Sequence, residues 1–187
     1  MRSTWLLHSS AVQSGRVVFF INSDTLSFME KKSVYIETTI PSYATAKTSR
    51  DVIKVGRQAT TKLFWENARQ NYDLYISQYV IDECSDGDIN AAKRRLDFIE
   101  GISLIKKTEK VDELAHIYQM LLNIPEDAKT DSFHLAVCVD AKIDYLLTWN
   151  YTHLGIESYK KLLEYNSKNG LSTPFLVTPE ALNAKEK

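Results

Sequence analysis

Four side chains in this sequence carry polar chemistry where their neighbours are apolar: Glu37, Glu83, Asp131 and Asn150. Glu37 follows Val34-Tyr35-Ile36 and precedes Thr38-Thr39-Ile40-Pro41. Val, Tyr and Ile suit a strand buried on both faces, and Pro41 forbids an orderly continuation of its ladder. Glu37 is thus expected at a strand's end, and open α/β sheets bind ligands in the crevice outside the carboxyl ends of their strands. Glu83 stands in the first turn of the helix expected after Leu74-Tyr75-Ile76-Ser77. Asp131 opens a helix that is otherwise apolar, and Asn150 follows Leu146-Leu147-Thr148. Oxygen donors of this kind, brought together, make the ligand set of a hard divalent cation. Mg²⁺ typically takes one or two carboxylates, several waters and substrate phosphate oxygens. Plainer explanations stand beside this one: a surface-turn glutamate at 37, and acids at 83 and 131 that complement a helix macrodipole. Convergence separates the two, and it depends on the elements that carry these residues.

Those elements alternate. After the first strand, Ser42–Ser49 is polar and small and is expected to be a loop. A helix capped by Ser49 or Asp51 runs to about Arg69, with Val52, Val55, Ala59 and Leu63 on one face. A strand over Leu74–Ser77 leads into a helix opening near Val80, which Gly87 breaks. Asp88 caps the next helix, where Ile89, Ala92, Leu96 and Ile99 keep helical spacing; Gly101 ends it before a strand over Ile102–Ile105. The cleanest amphipathic helix is Val111–Leu122, with Val111, Leu114, Ala115, Tyr118, Leu121 and Leu122 on one side. Thr130–Ala141 is apolar nearly all round and so reads as a buried helix. A strand over Ile143–Thr148, a polar helix from about Glu157 to Ser167, a strand at Phe175–Val177 and a terminal helix from Thr178-Pro179-Glu180 complete the chain. Strands alternating with helices imply a parallel sheet, and in such a sheet all four polar residues share one rim.

Composition bounds the partners. A chain of 187 residues with a net charge of −1 fits one domain with a full core, and lacks the basic excess of a histone-like nucleic-acid binder. Cys84 and Cys138 have no metal-ligand spacing and read as reduced thiols of a cytoplasmic protein. No apolar run reaches the roughly 18 residues of a membrane span. Val17-Val18-Phe19-Phe20-Ile21 is too short for a signal-peptide core of about 7–15 residues, and Met29-Glu30-Lys31-Lys32 reads like a natural start. Residues 1–32 are therefore expected to form an N-terminal extension outside the core, from a misplaced start codon or as an interaction arm. The folded domain is expected over 33–187.

Tyr35-Ile36-Glu37-Thr38-Thr39-Ile40-Pro41-Ser42, the helix start at Glu83, Thr130-Asp131-Ser132-Phe133-His134-Leu135-Ala136 and Leu146-Leu147-Thr148-Trp149-Asn150 together resemble a PIN domain, and more narrowly the VapC-type toxin nucleases of toxin–antitoxin pairs. The resemblance spans roughly Ser33 to Glu180. It implies a three-layer α/β/α sandwich around a central parallel sheet, and a Mg²⁺- or Mn²⁺-dependent ribonuclease acting on RNA. It also implies a homodimer held inactive by a cognate antitoxin. Glu37, Glu83 and Asp131 match the family's acidic positions, and Asn150 stands where a fourth acid is frequent. On this reading Glu37 and Asp131 are direct ligands, Glu83 binds through water or positions the attacking water, and Asn150 offers a carbonyl oxygen or orients a metal-bound water. Two departures matter: Glu37 replaces the usual aspartate, and Asn150 is neutral.

Other residues near these positions admit two readings each. His134, three after Asp131, is a core histidine or a ligand partner on the same helix face. His153, Lys47, Arg50 and Arg57 are phosphate contacts or solvated surface. Thr38 and Thr148 bind a metal water or satisfy strand-end amides. Trp149 and Tyr151 stack a base or pack. Tyr43, Leu63, Phe64 and Trp65 are interface or core. Two rival functions remain: a PIN fold that binds RNA or a protein without cutting, which Asn150 favours, and a flavodoxin-like receiver, which Glu37 disfavours because it cannot be a phosphoacceptor aspartate.

Overall fold

The structure is a computed structural model and describes residues 18–20, 26–28, 31–152 and 155–183. The chain divides into two compact units, Met1–Lys31 and Lys32–Lys187. In the first, β1 (Val18–Phe20) pairs antiparallel with β2 (Leu26–Phe28), with Phe19 opposite Ser27.

The second unit is built on β3 (Lys32–Ile36), whose Val34, Tyr35 and Ile36 are wholly buried. The chain continues through α1 (Thr39–Thr45), α2 (Val52–Leu63), β4 (Tyr72–Ser77), α3 (Gln78–Ser85), α4 (Ile89–Ile99) and β5 (Ser103–Ile105). It then forms α5 (Glu109–Leu122), α6 (Thr130–Asp140), β6 (Tyr145–Leu147), α7 (Ile156–Lys168), β7 (Phe175–Val177) and α8 (Pro179–Asn183). The five strands lie in the order β5-β4-β3-β6-β7, all parallel. Tyr35 is in register with Tyr75 on one side and Leu146 on the other. Helix α5 packs on α6 and α7; α1 packs on α2 and α4, and α2 on α8. This is a three-layer α/β/α arrangement around a parallel sheet. From β3 the chain builds outward through β4 and β5, then returns to lay β6 on the other flank. The carboxyl ends of β3 and β6 therefore flank the topological switch point, where open α/β sheets place their ligands.

Several local expectations are corrected. The stretch expected as a loop is in part α1, and Pro41 sits in its first turn, where the missing N–H is no loss. Ile40 and Pro41 are buried, and the Thr45 hydroxyl donates to Pro41 O at 2.8 Å, so packing and one back-bond sustain a short helix. Helix α2 also turns its expected inner face outward. Val52 is 84 % and Ile53 70 % exposed, and Leu63 is half-exposed, while Gln58 and Thr61 are buried. Gln58 Nε2 donates to Lys47 O at 2.9 Å and its Oε1 accepts from Ser49 N at 3.1 Å, bracing the α1–α2 loop. Polar side chains face inward here because that loop has backbone groups to satisfy. The regular helix ends at Leu63. A π-helical turn (Phe64–Ala68) and a 3₁₀ turn (Arg69–Asn71) follow, and they bury Phe64 and Ala68. On α4, Ile89 is exposed while Ala92 and Ile99 face the core. Helices α5 and α6 match their expected faces, with Ser132 through Val139 of α6 buried except Phe133. Among the described residues, no helix is long and apolar enough to cross a membrane.

Candidate metal centre

Glu37 is the first residue past β3, and its N–H donates to Leu147 O at 3.1 Å, so its backbone is pinned to β6. Its side chain is only 7 % exposed. Three donors converge on Oε2: Thr39 N at 3.1 Å, Thr39 Oγ1 at 2.5 Å and Thr148 Oγ1 at 2.8 Å. Both hydroxyls in turn accept an N–H from the segment after β6, Thr39 from Trp149 at 2.9 Å and Thr148 from Asn150 at 2.8 Å. One carboxylate oxygen thus ties the ends of β3 and β6 together. Among the described residues, Oε1 takes no hydrogen bond.

Glu83 lies in the last turn of α3, not the first turn expected, because the helix already begins at Gln78; it comes from the other flank. Its Oε2 accepts from the Thr38 hydroxyl and lies 3.0 Å from His134 Nε2. His134, in α6, is 2 % exposed, and its Nδ1 lies 2.7 Å from Tyr35 Oη, itself 2.6 Å from Ser77 Oγ. The buried chain Ser77–Tyr35–His134–Glu83 thus runs from the sheet interior to the rim. Burial alone would raise the pKa of Glu83, but its bond to His134, the imidazole's charge and Thr38 outweigh it and leave it below the ordinary value. Burial alone would lower that of His134, and Glu83, with the charges of Glu37 and Asp131, reverses it. One oxygen each from Glu37 and Glu83 and one ring nitrogen of His134 lie within 4.8 Å of one another.

Asp131 and Asn150 form the adjoining part of the rim. Asn150 Nδ2 donates to both Asp131 oxygens, at 3.0 and 3.1 Å, and its Oδ1 accepts from Thr152 N at 3.2 Å. Thr148, which serves both Glu37 and the Asn150 amide, links the two halves. The structure therefore brings Glu37 and Glu83 together directly, with His134 between α3 and the sheet, and places Asp131 against Asn150. The amide of Asn150 faces Asp131, and its carbonyl serves the following turn.

Neighbouring residues divide between rim and packing. Thr38, Thr39 and Thr148 all bond rim carboxylates. Trp149 is held by packing: its Nε1 donates to Thr61 Oγ1 at 2.8 Å, and the Arg57 guanidinium lies 5.2 Å from its ring. Arg57 also donates to Tyr43 Oη at 3.2 Å. Phe64 is core, and Trp65 packs on Phe98 in a tilted pair with ring centroids 4.0 Å apart. His153 lies outside the described residues. Both cysteines are buried free thiols, and burial pushes Cys84 up to about 11, so thiolate chemistry beside Glu83 is disfavoured. The residues hidden from sequence reasoning are Tyr35 and Ser77, which read as strand packing. The one available signal was a phenol between two aliphatic residues in the buried run Val34–Ile36.

A parallel five-stranded sheet in this order, with acids collected at the switch point, defines a PIN-like α/β/α fold. A comparison with solved structures agrees: a chain in the crystal structure of VapBC2 from Rickettsia felis, bound to a DNA fragment from their promoter, matches with a TM-score of 0.51 and 15 % sequence identity. The match covers 78 % of this chain and 98 % of that chain, so the fold is VapC-like. No protein-family model matches the chain, and no curated protein sequence matches it.

Proposed function

We propose that this chain is a metal-dependent endoribonuclease that hydrolyses RNA phosphodiester bonds, and the toxin of a toxin–antitoxin pair. The observation that carries the reading is the meeting of Glu37 and Glu83 at the switch point of a VapC-like sheet, beside the Asp131–Asn150 pair. The donor set fits Mg²⁺ or Mn²⁺: Oε1 of Glu37 is open while Oε2 is fixed, and two further carboxylates stand alongside. When bound, such an ion activates water and neutralises charge on the scissile phosphate. The chain's own part is positional. Thr39 and Thr148 hold Glu37 rigid, His134 and Thr38 hold Glu83 ionised near the place of the attacking water, and Asn150 orients Asp131 through both its oxygens. Preorganised groups of this kind need no rearrangement as charge develops.

The Rickettsia felis structure is of a VapBC2 assembly on promoter DNA, and by analogy an antitoxin is the proposed partner of this chain. A homodimer, a cytoplasmic setting and residues 1–32 as an extension outside the core, from a misplaced start codon or as an interaction arm, belong to the same proposal. The test is RNA cleavage by the purified full chain in EDTA, Mg²⁺ and Mn²⁺, alongside Asp131→Ala. Cleavage is expected only with metal, and reduced by about 10² or more in the variant. Metal-independent cleavage, or a fully active variant, sinks the mechanism. A second reading, a PIN fold that binds RNA or protein without cutting, is favoured by the neutral Asn150 amide engaging both Asp131 oxygens. RNA binding with no cleavage under any condition would select it.

A further inference from the structure

We propose that His134 is a direct nitrogen ligand of this centre, oriented by Tyr35 and Ser77, and that the site therefore holds a first-row transition ion more tightly than Mg²⁺. The inference rests on reading the rim as a metal site, and it concerns which ion and which donor.

The geometry supports it in three ways. First, ligand atoms at about 2.0–2.2 Å from one ion lie no more than about 4.4 Å apart, and the Glu37, Glu83 and His134 atoms lie within 4.8 Å of one another. Small side-chain adjustments close that difference. Second, a metal-bound imidazole needs a partner on its other nitrogen to fix its tautomer and ring direction. Tyr35 Oη, 2.7 Å from Nδ1, is that partner, and Ser77 Oγ at 2.6 Å orients Tyr35 in turn. Third, the ring is buried and cannot swing to solvent: β3 holds Tyr35 behind it and α3 holds Glu83 before it.

The hydrogen-bond chain works in either direction. With no ion, Nε2–H donates to Glu83, Nδ1 accepts from Tyr35 and Tyr35 accepts from Ser77. With an ion on Nε2, the ring proton sits on Nδ1 and donates to Tyr35, and Tyr35 donates to Ser77. Above the folded pKa of His134 the ring carries one proton in both states, and only its place and the hydroxyl orientations change. Hydroxyls suit this role because each both donates and accepts.

The donor class sets the preference. Mg²⁺ takes oxygen ligands in near-ideal octahedra and retains its waters, whereas imidazole nitrogen favours first-row transition ions. The probe is Mn²⁺. Calorimetric titration of the purified full chain is expected to show Mn²⁺ binding about 10-fold or more tighter than Mg²⁺. Spin-echo EPR of the Mn²⁺ complex is expected to show modulation from a directly bound ¹⁴N. His134→Ala should abolish the modulation and the preference together. Tyr35→Phe should keep the modulation while weakening Mn²⁺ about 10-fold or more. Bound Mn²⁺ without nitrogen modulation in the wild-type chain overturns the proposal, even if His134→Ala fails to fold. Equal affinity for the two ions, or no Mn²⁺ binding, also overturns it. Nitrogen modulation without RNA cleavage leaves this inference standing and removes the nuclease reading; Mn²⁺-dependent cleavage without modulation does the reverse.

Discussion

Glu37 engages its two oxygens unequally. Oε2 accepts from Thr39 and Thr148, and Oε1 takes no hydrogen bond among the described residues. The extra methylene relative to aspartate is what reaches those threonines. Glu37→Asp is therefore expected to strand buried hydroxyls and to cost about 1–3 kcal/mol in urea unfolding, with weaker metal binding by calorimetry. A variant as stable as the parent would show that the threonine cradle is not what requires glutamate. The Glu83–His134 pair predicts a pH signature in the metal-free protein. Glu83 is lowered from 4.5, so its contribution is present above that value and is lost as pH falls through the folded pKa. His134 is raised from 6.5, so its contribution is present below that value and is lost as pH rises through the folded pKa. Thermal midpoints in EDTA should peak between about pH 4.5 and 6.5, and Glu83→Gln should flatten both flanks. An unchanged profile in that variant would refute the coupling.

Helix α2 shows how an element can obey its own period and still turn the other way. Its apolar residues recur at helical spacing, yet Val52 and Ile53 face solvent while Gln58 and Thr61 are buried. The reason is what lies beneath it: a loop with carbonyls to satisfy and the indole of Trp149, whose Nε1 needs an acceptor. Thr61→Val keeps the shape but removes that acceptor, and is expected to cost about 1–3 kcal/mol. Val52→Ser, on the exposed face, should stay within about 0.5 kcal/mol. Chemical denaturation of the two variants checks the order, and a reversal would mean that the exposed face is covered in solution.

Across the whole unit, the rim depends on how β3 and β6 are locked together. Far from the rim, Asp144 accepts from Ser33 N and Ser33 Oγ, each at 2.9 Å, and pairs with Lys32 at 2.7 Å, while Ser33 Oγ accepts from Asp144 N at 2.8 Å. At the rim, Glu37 performs the same closure. Asp144→Ala should cost about 1–2 kcal/mol while leaving metal affinity within twofold, because the rim carries its own ties. Binding an ion to the folded state alone adds stability by mass action, about 2.7 kcal/mol at a hundredfold excess over Kd. Saturating Mn²⁺ should therefore raise the thermal midpoint, and EDTA should abolish the gain. No shift with Mn²⁺ would count against a metal centre of useful affinity.

Much of this was legible in the chain itself. Alternating strand and helix patterns with Pro and Gly stops pointed to a parallel α/β sheet, because local periodicity follows from side-chain chemistry, and strand-end placement put Glu37 after β3 and Asn150 after β6. The sense in which α2 faces, the helical course of Thr39–Thr45 and the buried line from Ser77 through Tyr35 to His134 were not legible. The second rests on packing and the others on partners distant in sequence: α1 on burial of Ile40 and Pro41, Thr61 on Trp149, and His134 on Tyr35 and Glu83. Hydrogen bonding between such residues is decided only when the strands pair. The sequence alone determined the alternation of strands and helices, because that alternation follows from local pattern; the tertiary structure decided which oxygen of Glu37 the threonines hold and that a histidine faces the carboxylates, because both depend on strand pairing.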